Sequence, residues 1–179
     1  MVYIFLAEGF EECEALAPID ILRRAGIEIK TVGIGNKTVT GSHGIPVVCD
    51  LEENEITTEN LEGIILPGGM PGTINLENSE TVQSYIDYAA ENELLIGAIC
   101  AAPSILGHKN LFNDKKATCF TGFEKDLLGA NVINAPVVSD GNIVTAYGAG
   151  AAFLFGFRLL ERLTNAVTAE KLKQQMRVI

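Results

Sequence analysis

One cysteine stands apart from the other three. Gly97-Ala98-Ile99-Cys100-Ala101-Ala102-Pro103 puts a thiol where an apolar run gives way to small residues and a proline. Small residues permit a sharp turn and proline suits a first helical turn, so the spacing predicts a nucleophile elbow between strand and helix. Unpaired N–H groups and the positive end of the helix dipole there favour the thiolate. The thiolate is the form that attacks carbonyls and that oxidises to sulfenic and sulfinic acids. The plainer alternative is a buried cysteine closing a strand. Cys49 and Cys119, set in apolar or β-rich sequence, read as small buried hydrophobes. Cys13 lies between Glu12 and Glu14, whose charges disfavour ionisation. No C-x-x-C pair occurs and neither histidine has zinc-ligand spacing to a cysteine, so no metal site is expected.

Other groups could serve that thiol. Gly68-Gly69, in Pro67-Gly68-Gly69-Met70-Pro71-Gly72, can bring backbone N–H groups to a reacting carbonyl oxygen, or is simply a loop that needs positive φ. No Gly-Lys-Ser/Thr follows it and no Gly-x-Gly-x-x-Gly occurs, so neither a phosphate loop nor a dinucleotide site is supported. Glu14 falls on the inner stretch of a predicted helix, where a partly buried carboxylic acid keeps its proton and can donate it to sulfur. Glu8, Glu11 and Glu12 read as a solvated face. His108 follows the helix after the elbow and reads as a surface or capping residue. His43 sits at a hairpin tip and reaches the chain's own site only if that hairpin folds back. No histidine follows position 108, so a Cys-His-Glu triad completed from the late strand cannot be built.

The elements that must position these groups alternate from the start. Strands are expected at Val2–Leu6, Ile27–Val32, Leu61–Leu66, Leu94–Ile99 and Ile143–Ala146. Helices are expected at Glu11–Ala25, with Leu16, Ile19 and Leu22 inward and Gly26 just past its end, and at Ser79–Glu91, with Ser79 as N-cap. Pro18 either starts the regular part of the first helix or kinks it. A short helix opens at Pro103, and a long one runs from about Ala149 to Leu163 with Phe153, Phe157, Leu160 and Leu163 at helical spacing. A more polar helix starts near Thr168. Val39, Gly41-Ser42-His43-Gly44 and Ile45–Val48 suggest a β-hairpin. Continuous apolar strands separated by helices indicate a mostly parallel sheet covered on both faces. In such a fold reactive groups collect beyond the carboxyl ends of the strands. Glu8 to Glu14, the Gly68-Gly69 loop, Cys100 and the Gly148-Ala149-Gly150 turn all fall there.

Composition limits what this edge can act on. The chain has 179 residues, 47% hydrophobic and 20% charged, which suits one domain over 1–179 and excludes disorder. Thirteen Lys and Arg against 23 Asp and Glu leave no basic face for nucleic acid. No apolar run reaches the roughly 18 residues that cross a membrane. The amino-terminal run lacks a basic flank and a cleavage site and reads as a strand, which leaves a cytoplasmic location as the expectation.

Five segments, in order, resemble the ThiJ/PfpI superfamily, in the branch of the Parkinson-disease-associated protein deglycase. They are Leu6-Ala7-Glu8-Gly9-Phe10-Glu11-Glu12-Cys13-Glu14, Pro18 to Gly26, Leu66-Pro67-Gly68-Gly69, Ala98-Ile99-Cys100-Ala101-Ala102-Pro103 and Gly148-Ala149-Gly150. The resemblance implies a flavodoxin-like three-layer sandwich with a small hairpin, in a homodimer. It implies that Cys100 is the oxidation-prone catalytic cysteine, Glu14 its supporting acid, and Gly69 and Ala101 the amides facing substrate oxygen. Implied activities are cofactor-free conversion of small reactive carbonyls or deglycation of glycated substrates. The alternative is a non-catalytic redox sensor that works by oxidation of the same cysteine. Two departures matter. Peptidase members carry His directly after the cysteine, where this chain has Ala101. Deglycase members often carry His in the segment after the elbow, where Lys116-Ala117-Thr118-Cys119-Phe120 puts Phe120, so the expected acid–base partner is missing. His43 falls on a loop that in this family lies near the partner subunit, which makes it a candidate for a cross-dimer contribution.

Overall fold

The computed structural model describes residues 1–178. The first half carries β1 (Val2–Leu6), α1 (Glu12–Arg24), β2 (Ile29–Gly33), β3 (Thr38–Thr40), β4 (Pro46–Val48), β5 (Leu51–Glu52), β6 (Gly63–Leu66), α2 (Gly72–Glu77) and α3 (Glu80–Glu91). The second half carries β7 (Leu95–Ile99), α4 (Pro103–His108), β8 (Lys116–Ala117), β9 (Asn131–Val132), β10 (Val137–Asp140), β11 (Ile143–Ala146), α5 (Ala152–Leu163) and α6 (Ala166–Met176). Seven strands form one sheet in the order β10-β11-β7-β6-β1-β2-β5, parallel except for the antiparallel edge strand β10. The order β2-β1-β6-β7-β11 within it is the flavodoxin-like arrangement, with its switch point between β1 and β6. The hairpin pairs β3 with β4.

Both faces of the sheet are buried, which explains the unbroken apolar strands. Val2, Ile4 and Leu6 of β1 join a core with Ile19 and Leu22 of α1 and Phe155, Leu159 and Leu160 of α5. Tyr3 and Phe5 join another with Val82, Tyr85 and Ile86 of α3 and Ile105 and Leu106 of α4. Successive strand residues point to opposite faces, so one strand feeds two cores.

Helix boundaries follow the expected signals. Glu11 caps α1 by accepting from the Glu14 N–H, and Gly26, at φ +77, follows its C-cap. Ser79 caps α3 through the Val82 N–H, and Pro103 opens α4. Pro18 neither starts nor ends α1, which runs through it. Two assignments of facing are corrected. Leu16 is exposed, because the buried stripe of α1 runs through Ala15, Pro18, Ile19 and Leu22. Phe153 is exposed too, because α5 turns Phe155, Gly156, Leu159 and Leu160 inward. The short elements β5, β8, β9, β10 and α2 carry too little periodicity to be visible in the sequence.

Helices α1 and α5 pack closely at Gly156. A Cβ there would lie 2.7 Å from Ile21 Cδ1 and 3.0 Å from the Pro18 Cα. Gly156→Val should therefore lower stability by about 2 kcal/mol, read as a lower urea midpoint at unchanged slope.

Candidate functional site

The site lies at the switch point, where the loops after β1 and β6 meet the end of β7. Those two loops touch through backbone. A Cβ on Gly69, at φ +90, would come 2.4 Å from the Glu11 nitrogen and 2.6 Å from the Gly9 oxygen. A Cβ on Gly72 would meet Phe10 and Gly9 backbone within 2.7 Å. Glu11 N donates to Gly68 O at 2.9 Å and locks the two loops together. Gly68 is equally constrained, since its Cβ would lie 2.6 Å from Cys100 Cβ and 2.7 Å from Glu14 Oε2. The glycines thus let two loops and the elbow converge on one small volume.

Cys100 occupies the elbow with φ +65, a left-handed conformation that costs a non-glycine residue roughly 1–3 kcal/mol. The surrounding bonds hold it there. Cys100 N donates to Ala146 O at 2.9 Å and Phe120 N donates to Cys100 O at 2.8 Å. The thiol is partly exposed, while Cys49 and Cys119 are buried and Cys13 is exposed. Glu11, burial, Glu12 and Glu14 all push the Cys13 thiol upward. None of the other three thus combines exposure with a favourable field.

Glu14 is fully buried beside Cys100. Its Oε2 accepts from Gly68 N at 2.9 Å, while Oε1 has no hydrogen-bond partner although the Ala149 N–H faces the carboxylate. A buried carboxylate oxygen with nothing to accept from is costly, and a proton on it removes that cost. Burial pushes Glu14 up to about 7, aided by the neighbouring charge of Glu11.

The thiol differs from the expectation of a freely ionised sulfur. The Ala101 and Gly69 N–H groups bear on the thiol and favour the thiolate. Burial and the charge of ionised Glu14 outweigh them and push Cys100 up to about 12. Above neutrality the carboxyl therefore ionises before the thiol, and because each charge raises the other group the two titrate as a pair. A thiolate forms without further deprotonation only when the proton moves from sulfur to Glu14.

The acidic cluster also needs correction. Glu12 is buried rather than solvated, because the β3–β4 hairpin folds back over it. Glu12 Oε1 accepts from His43 N at 2.8 Å, and Oε2 lies 2.8 Å from His43 Nδ1. Gly9 N donates to Thr40 O at 2.8 Å and Ser42 N to Phe10 O at 2.7 Å. Burial opposes the charge on Glu12, but bonds from His43 and Ile45 hold its carboxyl below the ordinary range. His43 is raised by its bond to Glu12, and its ring stays largely exposed. Glu11 is half-buried as the cap of α1, and Glu8 is exposed. Glu11, Glu12 and His43 place ligand atoms within 4.8 Å of one another, a grouping the spacing did not reveal. The Glu12 oxygens there are already taken up by the hairpin. His108 pairs with Glu77 on α2 at 2.5 Å and takes no part in the thiol site.

A cavity of about 620 Å³ opens beside the elbow, walled by Phe120, Tyr147, Val132 and Ile133 among others. Phe120 Cδ2 lies 3.2 Å from the position a Cβ on Gly148 would occupy, and Glu14 Oε1 lies 4.0 Å from that position. The aromatic wall and the acid thus face the same spot. Among the described residues no helix is long and apolar enough to cross a membrane.

The profile of the DJ-1/PfpI family matches residues 1–162. Protein DJ-1 homolog B of Arabidopsis thaliana is 36% identical over 165 residues, covering 90% of this chain but only 38% of that protein's length. The chain spans less than half of that relative. The Parkinson disease protein 7 homolog of Danio rerio is 30% identical over 182 residues, covering 95% of this chain and 93% of its own. Oxidized DJ-1 of Toxoplasma gondii superposes with a TM-score of 0.93 at 30% identity, covering 98% of this chain and 96% of that one.

The coupled pair gives a measurable signature. Alkylation of Cys100 by iodoacetamide should rise through an inflection near pH 7, where the pair loses its first proton, and then stay flat to beyond pH 10. In Glu14→Gln that inflection should disappear and a single thiol titration replace it. An unchanged profile in Glu14→Gln would show that the two groups are not coupled.

Proposed function

We propose, from the premise that the chain belongs to the DJ-1/PfpI family, that it is a cysteine-dependent, cofactor-free enzyme acting on small reactive carbonyls in the manner of a glyoxalase or deglycase. The observation that carries this reading is the unpartnered, fully buried Oε1 of Glu14 beside a thiol held at a strained elbow. In the COOH/S⁻ state, Sγ adds to an aldehyde carbon. The C–S bond forms, the carbonyl electron pair moves to oxygen, and that oxygen takes the Glu14 proton to give a hemithioacetal. The Gly69 and Ala101 amides stabilise the charge while it sits on oxygen.

Glu14, now a carboxylate, removes the proton from the same carbon to give an enediolate. The hydroxyl proton passes from the first oxygen to the neighbouring carbonyl oxygen, and Glu14 returns its proton at the neighbouring carbon, leaving a thioester and a hydroxyl. Water then cleaves the thioester and restores the thiol. Methylglyoxal plus water thereby becomes lactate with no external oxidant or reductant. With Phe120 where relatives were expected to carry histidine, Glu14 performs both proton transfers at carbon. Ala101 in place of a second histidine argues against peptidase action.

A second reading has its own support. The Toxoplasma relative is described in an oxidized state, and the absence of an imidazole at position 120 weakens turnover without weakening oxidation. Two equivalents of peroxide would take Cys100 to a sulfinate that accepts a hydrogen bond from protonated Glu14. Four free thiols suit a reducing compartment such as the cytoplasm. The chain is further proposed to act as a homodimer in which His43 reaches the partner's site.

Lactate production from methylglyoxal should vanish in Cys100→Ser and fall about 100-fold in Glu14→Gln, measured by stopped-time lactate assay. Stoichiometric sulfinate at Cys100 after peroxide, with no carbonyl turnover, would select the redox reading. His43→Ala should lower the Cys100-dependent rate only under conditions where the chain is dimeric, and an unchanged rate removes His43 from the site.

A further inference from the structure

The cavity beside the elbow has a composition that selects among carbonyl substrates. Phe120, Tyr147 and Val132 are 50%, 38% and 39% exposed, and all three line the same space. Ile133 and the buried Cys119 add apolar wall, and Thr118, Thr121 and Asn134 add uncharged polar groups. Among the described residues the one charged lining side chain is Glu124, whose Oε2 accepts from Gly122 N at 2.8 Å, and none is cationic. At about 620 Å³ it lies within the roughly 300–1,000 Å³ of small-molecule pockets, far more than a methyl group fills.

Its placement ties it to the thiol. Cys100 receives the Phe120 N–H on its carbonyl oxygen, and the residue before Tyr147 accepts the Cys100 N–H. The Phe120 ring and Glu14 Oε1 flank the same point over Gly148. An aldehyde carbon delivered to Sγ with its oxygen toward Glu14 therefore has its substituent beside the Phe120 ring.

We infer that this cavity is the substituent pocket of the thiol site and that the substrate is a neutral carbonyl compound bearing a large apolar or aromatic group, with Phe120 and Tyr147 setting the preference. The inference rests on the thiol reading above and deepens it. An aryl group fills the apolar space and stacks against the two rings, whereas a methyl leaves it to water. An anionic substituent meets Glu124 with no countercharge.

Two measurements test this. The first is kcat/KM for phenylglyoxal against methylglyoxal and the anionic glyoxylate. Phenylglyoxal should be favoured over methylglyoxal by about 10-fold or more, and glyoxylate should be the poorest. The second does not need turnover. Cys100 is alkylated by phenacyl bromide and by bromoacetone, and the rate ratio is divided by the same ratio for glutathione. The normalised ratio should exceed about 10 and fall toward one in Phe120→Ala, which keeps the backbone bond to Cys100. A normalised ratio near one in the wild-type protein overturns the pocket assignment while leaving the thiol chemistry standing. If neither bromoketone reacts at Cys100 in the folded protein, the thiol reading itself falls and takes the pocket with it.

Discussion

A buried carboxyl set beside a thiol on a strained elbow is the constraint on which this site depends. Glu14 is fully buried, with Oε2 bonded to the Gly68 amide and Oε1 unpartnered, so its charge is expensive. Cys100 has two amides that favour its thiolate but a carboxylate beside it. Each charge makes the other harder to form, so the two groups titrate as a pair. Everything nearby serves to keep the two together. The elbow forces a left-handed cysteine, Gly68 leaves no side chain between the pair, and Glu11 both caps α1 and crowds negative charge toward Glu14.

Membership in the DJ-1/PfpI family explains the scaffold but not the local choices. A flavodoxin-like strand order delivers three loops to the switch point, whatever the chemistry done there. The chemistry comes from which side chains those loops carry. Here they carry an acid, a thiol and backbone amides, with Ala101 after the cysteine and Phe120 beyond the elbow in place of histidine.

Much of this could be read from the residues. The strands β1, β6, β7 and β11 announce themselves because a doubly covered sheet needs unbroken apolar runs, and the caps Glu11, Ser79 and Pro103 follow local rules of backbone satisfaction. Cys100 and Glu14 were legible for the same reason: both lie at element junctions fixed by nearby signals. What escaped depends on contacts between distant segments. Leu16 was misplaced because helical spacing shows a stripe but not which neighbour covers it. Glu12 was misjudged because its burial is caused by a hairpin some 30 residues away, through bonds to His43 that no local pattern contains. The direction of the Cys100 shift was missed for a related reason. Amide dipoles can be inferred from an elbow, but the strength of desolvation depends on the closed packing of Gly68, Gly69 and Gly72 around it.

That glycine packing has a consequence for how such a protein can diversify. The floor under the sulfur is main chain pressed against main chain, so substitutions there meet immediate collision. The rim at Phe120, Tyr147 and Val132 is side chain facing open space, where exchanges cost little folding energy. The thiol's surroundings and the cavity rim are thereby physically separate layers, one frozen by sterics and the other free to drift, so the rim can vary across a lineage while the floor stays fixed.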